Sequence, residues 1–152
     1  MNLDKSLALA ALLACGCAQA FAQAAPAASA PPSARELHSA QCVAALQAST
    51  EILAQQVKAG NDAVRPLLQS RLEAGTAFVG DAYLNGTTDE KRARALANNA
   101  LEAQKNLSAS ELASRQEACA LEGTALLADS NGIERTIVKR MAKKRMDRLL
   151  GG

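Results

Sequence analysis

The chain has 152 residues, a formal net charge of +2, 49% apolar residues and 21% charged residues, which is enough for one globular domain behind a targeting segment and too little for two. Aromatic residues make up 2% of it, namely Phe21, Phe78 and Tyr83, with no Trp. The β-branched and aromatic runs that strands need are therefore missing, and the core falls to Leu, Ile, Val and Ala, which suits closely packed helices.

The amino end has the three parts of a signal peptide: Lys5, an apolar run over Leu7–Ala14, and Ala20-Phe21-Ala22 as a small-x-small cleavage site. Residues 1–22 are thus expected to be removed on export, leaving Gln23 first in a periplasmic or secreted protein. The apolar run is far shorter than the roughly 20 residues that span a bilayer. Leu12-Leu13-Ala14-Cys15 also resembles the lipobox of bacterial lipoproteins, which implies a second route, acylation of Cys15 and a lipid anchor. Residues 23–34 are Ala, Pro and Ser with almost no other residue type, a composition expected to form a flexible tether.

Residues 35–132 read as a helical domain. Ser33 and Glu36 have capping-box spacing and open a first helix that stops at Gly60, with Cys42, Leu46, Leu53 and Val57 on one stripe. Asn61 and Asp62 are expected to cap a second helix with Pro66 in its first turn and Val64, Leu67, Leu68, Leu72, Gly75, Phe78, Val79 and Ala82 facing inward, up to Asn85-Gly86. Thr87 and Glu90 form another box spacing before a third helix bearing Ala93, Leu96, Ala97, Ala100, Leu101 and Gln104 on one face. Ser108 and Glu111, flanked by Leu107 and Leu112 as a hydrophobic staple, start a fourth helix that Asp129-Ser130-Asn131-Gly132 ends. Four helices of roughly 18 to 25 residues joined by short turns favour an all-α, antiparallel four-helix bundle, or else an irregular array of helical hairpins.

Residues 133–152 read as an added basic amphipathic helix. They hold seven Lys or Arg against two Asp or Glu, whereas residues 23–132 hold nine against twelve. Ile133, Ile137, Val138 and Met141 fall on one side of it and Arg135, Lys139, Arg140 and Lys143 on the other, continued by Lys144 and Arg145. These six basic residues are the candidate surface for an anionic membrane or an envelope protein. Docking on the bundle competes with that role, favoured by the lack of an aromatic anchor in the segment. So little net charge on an exported chain argues against nucleic acid.

Outside the leader the cysteines are Cys42 and Cys119, expected to form one disulfide in an oxidising compartment. In antiparallel first and fourth helices they stand roughly 12 and 13 Å from the same end, level with each other. Neither belongs to a Cys-x-x-Cys pair, and no His is read beside them, so the bond is expected to be structural. His38 is the one histidine, expected on the first turns of the first helix and partly exposed. A carrier of a small ligand or of haem in the bundle interior is the alternative to a surface binder, haem being held by His38 with Met141 or Met146. Glu51, Glu73, Glu102, Glu117 and Glu122 are scattered singly on the helices, and no phosphate loop, nucleophile motif or metal-ligand spacing occurs. The expectation is a non-enzymatic exported protein with no bound cofactor.

Overall fold

The computed structural model describes residues 30–151; the leader, its cleavage site, Cys15 and most of the Ala/Pro/Ser segment lie outside them. The described residues are helical, with no strand among them: α1 (Ala34–Lys58), α2 (Arg65–Leu84), α3 (Glu90–Gln104), α4 (Ala109–Asp129) and α5 (Gly132–Leu150). The all-α class and the Cys42–Cys119 disulfide are as expected.

Helix starts follow side-chain chemistry at the predicted places, with two exceptions. Ser33 and Ser108 each accept the N3 amide while Glu36 and Glu111 take the cap amide in return, and Asn131 with Glu134 does the same for α5. The expected Thr87 cap is replaced by Asp89, whose carboxylate accepts from the Lys91 and Arg92 amides. A carboxylate directly before the helix outcompetes a hydroxyl two residues earlier. Thr87 instead donates to Glu36 at 3.4 Å. Asn61 likewise makes no capping bond; the chain enters α2 through a 3₁₀ turn over Asp62–Val64, and Asp62 accepts from Arg65 at 2.7 Å. Gly60 and Gly86 take φ of +95° and +99°, the left-handed region that lets helices α1 and α2 stop sharply.

Helix α1 is central among the described helices. It packs against α2, α3, α4 and α5, and α2 packs in turn against α4 and α5. Accordingly the predicted stripe of Cys42, Leu46, Leu53 and Val57 is buried, but Ala40, Ala44, Ala45 and Ala54 are buried too, covering other faces of the same helix. Three groups of side chains result. Cys42, Ala45, Leu46, Ala74, Phe78 and Cys119 join α1, α2 and α4. Leu53, Ala54, Val57, Leu68, Leu72 and Ala142 join α1, α2 and α5. Ala40, Ala44 and Ala100 let α3 lie close on α1.

Two residues of the predicted second stripe, Leu67 and Val79, are exposed, because α2 is covered by α1, α4 and α5 over a narrower arc than its apolar residues span. Helix α3 is 15 residues long, shorter than expected.

Polar contacts fix the ends of this arrangement. Arg92 of α3 pairs with Glu36 of α1 at 3.0 Å, and Arg35 pairs with Asp81 of α2 at 2.6 Å. Arg71, largely buried, donates to the Gln116 carbonyl at 2.7 Å and pairs with Glu117, pinning α2 to α4. The Arg92 guanidinium and then the Ser33 amide pull the Glu36 carboxyl down to about 2 from its ordinary 4.5. A depressed folded value means the contribution is whole above pH about 4.5 and is lost as pH falls towards 2. Thermal melts from pH 5 to 2 should therefore show a shallower acid slope for Glu36→Gln than for the parent chain; parallel slopes would remove Glu36 from the acid response.

Candidate functional site

Cys42 and Cys119 are bonded, with Cα atoms 5.2 Å apart, and both are buried. Cys42 sits about one third of the way from the start of α1 and Cys119 at the middle of α4, about 12 and 15 Å from the ends that antiparallel packing brings together.

His38 is where the sequence reading was incomplete. Its Nε2 lies 2.8 Å from a Glu122 carboxylate oxygen and 3.9 Å from the Cys42 sulfur, and its ring meets Phe78 edge-on at 6.2 Å. It is exposed as expected, yet it does stand beside the disulfide. The signal was present, since residues 38 and 42 are one helical turn apart and share a face. Glu122 is on α4 three residues beyond Cys119, so each helix presents a pair of polar or sulfur groups to the same point.

The structure does not bring His38 to the methionines weighed as partners. Met146 packs with the group around Leu53 and Leu68, and Leu53 lies about 22 Å along α1 from His38. Met141 lines a different cleft. The other carboxylates are engaged one by one: Glu51 with Gln47, Glu73 with Gln69, Glu102 with Lys105 and Glu117 with Arg71.

Helix α5 has three faces rather than two. Val138 and Ala142 are buried, and Met146, Leu149 and Leu150 partly so, so the segment docks on the α1–α2 hairpin. Ile133, Ile137 and Met141, expected on that docking side, are 75%, 51% and 52% exposed. The small Ala142 permits close approach, and the larger side chains are turned to one side. Arg135 is no free cation: its guanidinium donates to the carbonyls of Leu127, Ala128 and Ser130 at 3.2, 2.8 and 2.9 Å, closing the carboxyl end of α4. Lys143 pairs with Asp147 at 3.2 Å, and Arg145 is half-buried beside a small recess lined by Gln47 and Thr50. Lys139, Arg140 and Lys144 stay exposed.

Ile137 and Met141, with the edge of Val138, form one wall of a cleft of about 610 Å³; Ile133 lies outside it. Val79, Tyr83 and Leu84 of α2 line the side contributed by that helix, and Leu126 and Leu127 of α4 line it too. Val79, Tyr83 and Leu84 are themselves 46%, 63% and 66% exposed, so the apolar surface continues over the lips. Arg140, expected on the side opposite the apolar residues, belongs with them instead: at 100° per residue it and Lys144 fall in the same sector of α5 as Ile133, Ile137 and Met141, and only Arg135, Lys139 and Lys143 lie across from that sector. Tyr83 thus supplies, from a distant part of the sequence, the aromatic group that α5 lacks. Asp81, Asp129 and Glu134 also line the cleft; Asp81 is held by Arg35 and Glu134 by the Asn131 amide. Among the described residues no helix is long and apolar enough to cross a membrane. No family model matches this chain, and neither a curated protein nor a solved structure is significantly similar to it.

Proposed function

We propose that the chain is a non-enzymatic exported protein of the cell envelope that docks peripherally on an anionic membrane surface. The carrying observation is the cleft lined by the exposed Val79, Tyr83, Leu84, Ile137 and Met141, with the exposed Arg140 and Lys144 in the same helical sector of α5 as Ile137 and Met141. Contiguous exposed apolar side chains are uncommon on soluble monomers unless something covers them. Tyr at the boundary between apolar and wet surroundings, with cations beside it, fits the interfacial zone of a bilayer. Cleavage near Ala22 and export remain part of this reading, carried by the leader pattern. The architecture it assumes is the irregular hairpin array rather than a closed four-helix bundle, supported by α3 resting on α1 while α4 and α5 rest on the α1–α2 hairpin. A protein partner in the envelope is the second reading, favoured by Asp129 and Glu134 in the lining of the cleft.

Co-sedimentation with vesicles tests the proposal. The mature chain should bind phosphatidylglycerol-containing vesicles, bind pure phosphatidylcholine weakly, and release as salt rises. Each basic residue near an anionic surface contributes about 1 kcal/mol, so Arg140→Gln with Lys144→Gln should weaken binding roughly 30-fold. Ile137→Ser with Met141→Ser, both at exposed positions and so without effect on the fold, should weaken it at least about tenfold. Equal binding to neutral vesicles, or binding indifferent to both pairs, would turn the reading towards a protein partner.

A further inference from the structure

Four side chains with metal-ligating atoms meet at one point between α1 and α4. His38 and Cys42 are one turn apart on α1, Cys119 and Glu122 nearly one turn apart on α4, and the disulfide holds the two helices in register there. The ligand atoms of His38, Cys42 and Glu122 all lie within 4.8 Å of one another, and the Cys119 sulfur is bonded to that of Cys42. We infer that reduction of the Cys42–Cys119 bond converts this cluster into a tetrahedral zinc site with two thiolates, one imidazole and one carboxylate, so that disulfide and metal are alternative ways of tying α1 to α4.

The chemistry of the set fits zinc. Zn²⁺ takes thiolate at about 2.3 Å and imidazole or carboxylate at about 2.0 to 2.2 Å, which puts neighbouring ligand atoms roughly 3.3 to 3.8 Å apart. His38 Nε2 already lies 3.9 Å from one sulfur and 2.8 Å from the carboxylate, and the main movement required is separation of the two sulfurs from bonding distance to about 3.8 Å once their bond is broken. Soft sulfur with imidazole selects zinc over magnesium or calcium. The sulfurs are buried while His38 and Glu122 are about half exposed, which gives the ion a path in from solvent. Phe78 against the imidazole edge holds that ring in place.

The balance is simple. A trialkylphosphine attacks one sulfur, the S–S bond breaks, the phosphine leaves as its oxide with oxygen from water, and each cysteine gains one proton. Zinc then replaces both thiol protons, and the imidazole binds through Nε2 while keeping a proton on Nδ1. A dithiol reductant gives the same protein product by exchange, itself becoming the disulfide. The inference does not depend on the membrane reading, since the cluster and the cleft share no residue.

Cobalt(II) is the spectroscopic probe. The mature chain reduced with tris(carboxyethyl)phosphine should take up one Co²⁺, giving the visible bands of a tetrahedral site and thiolate-to-metal charge transfer, both erased by one equivalent of Zn²⁺. The oxidised chain should show neither. Loss of an outer partner of a metal ligand already costs about 10- to 100-fold in affinity, so His38→Ala and Glu122→Gln should each weaken binding at least that much. If reduction loosens the fold, zinc should restore the helical circular dichroism and raise Tm, because ligand binding to the folded state stabilises it. Absence of cobalt binding with no effect of zinc on helicity would overturn the inference. So would an octahedral spectrum without charge transfer, or unchanged affinity in both variants.

Discussion

Cys42→Ala with Cys119→Ala is expected to lower Tm by about 10 to 20 °C while leaving the helical signal at low temperature intact. The bond spans a sequence separation of 77 residues, and in the chain-entropy model closing a loop of that size contributes about 4.5 kcal/mol. That is a large part of the 5 to 15 kcal/mol typical of a whole domain. At about 4 °C per kcal/mol for a domain near this size, the predicted interval follows. The bond also joins α4, which has few large apolar residues facing inward, to the central helix α1; the buried members of α4 are Cys119 and Gly123. Melting by circular dichroism checks the prediction. A change of only a degree or two would mean that packing alone holds α4.

The second large effect is expected at Gly123. A glycine inside a helix costs about 1 kcal/mol relative to alanine, so propensity alone favours Gly123→Ala. Packing reverses that. A Cβ at this position would lie 2.7 Å from the Ala74 carbonyl oxygen, 2.8 Å from its Cβ and 2.9 Å from its Cα. Two of the three are backbone atoms of α2, which no rotamer change moves. Overpacking of this kind costs roughly 1 to 3 kcal/mol and sometimes more, and separating α2 from α4 would also strain the Arg71 contacts with Gln116 and Glu117. Net of the propensity gain, Gly123→Ala should lower Tm by roughly 4 to 8 °C, whereas Gly80→Ala, with nothing within 4 Å of its Cβ, should not lower it. Stabilisation by Gly123→Ala would show that α4 can shift outward freely.

Local chemistry made much of this fold legible. The Ser33–Glu36 and Ser108–Glu111 spacings set two helix starts, and the level positions of Cys42 and Cys119 carried the pairing of α1 with α4. Periodicity served less well where burial is not one-sided. Helix α1 is surrounded, so its apolar stripe named only part of the residues it buries, and Ala40 and Ala44 were hidden among many alanines. In α5 periodicity groups Ile133, Ile137, Val138 and Met141 on one side, yet close approach to the hairpin selects Val138 and Ala142 and leaves Ile137 and Met141 at the cleft. Arg135 could not be read as a cap for α4, because that role depends on where the preceding helix ends in space. Tyr83 and Met141 are separated by nearly sixty positions, and nothing local relates them. His38 and Cys42 are different, since their spacing alone placed them on one face.

Tyr83 offers the most direct test of the membrane-docking account. It is the one tyrosine of a chain without tryptophan, and it stands on the lip of the cleft, so its emission reports on that face alone. Bound to phosphatidylglycerol vesicles carrying nitroxide at the headgroup or upper acyl chain, the mature protein should lose most of its tyrosine fluorescence, and Arg140→Gln with Lys144→Gln should restore it. Protein that sediments with those vesicles while Tyr83 stays as bright as in solution would place another face on the membrane and contradict the account.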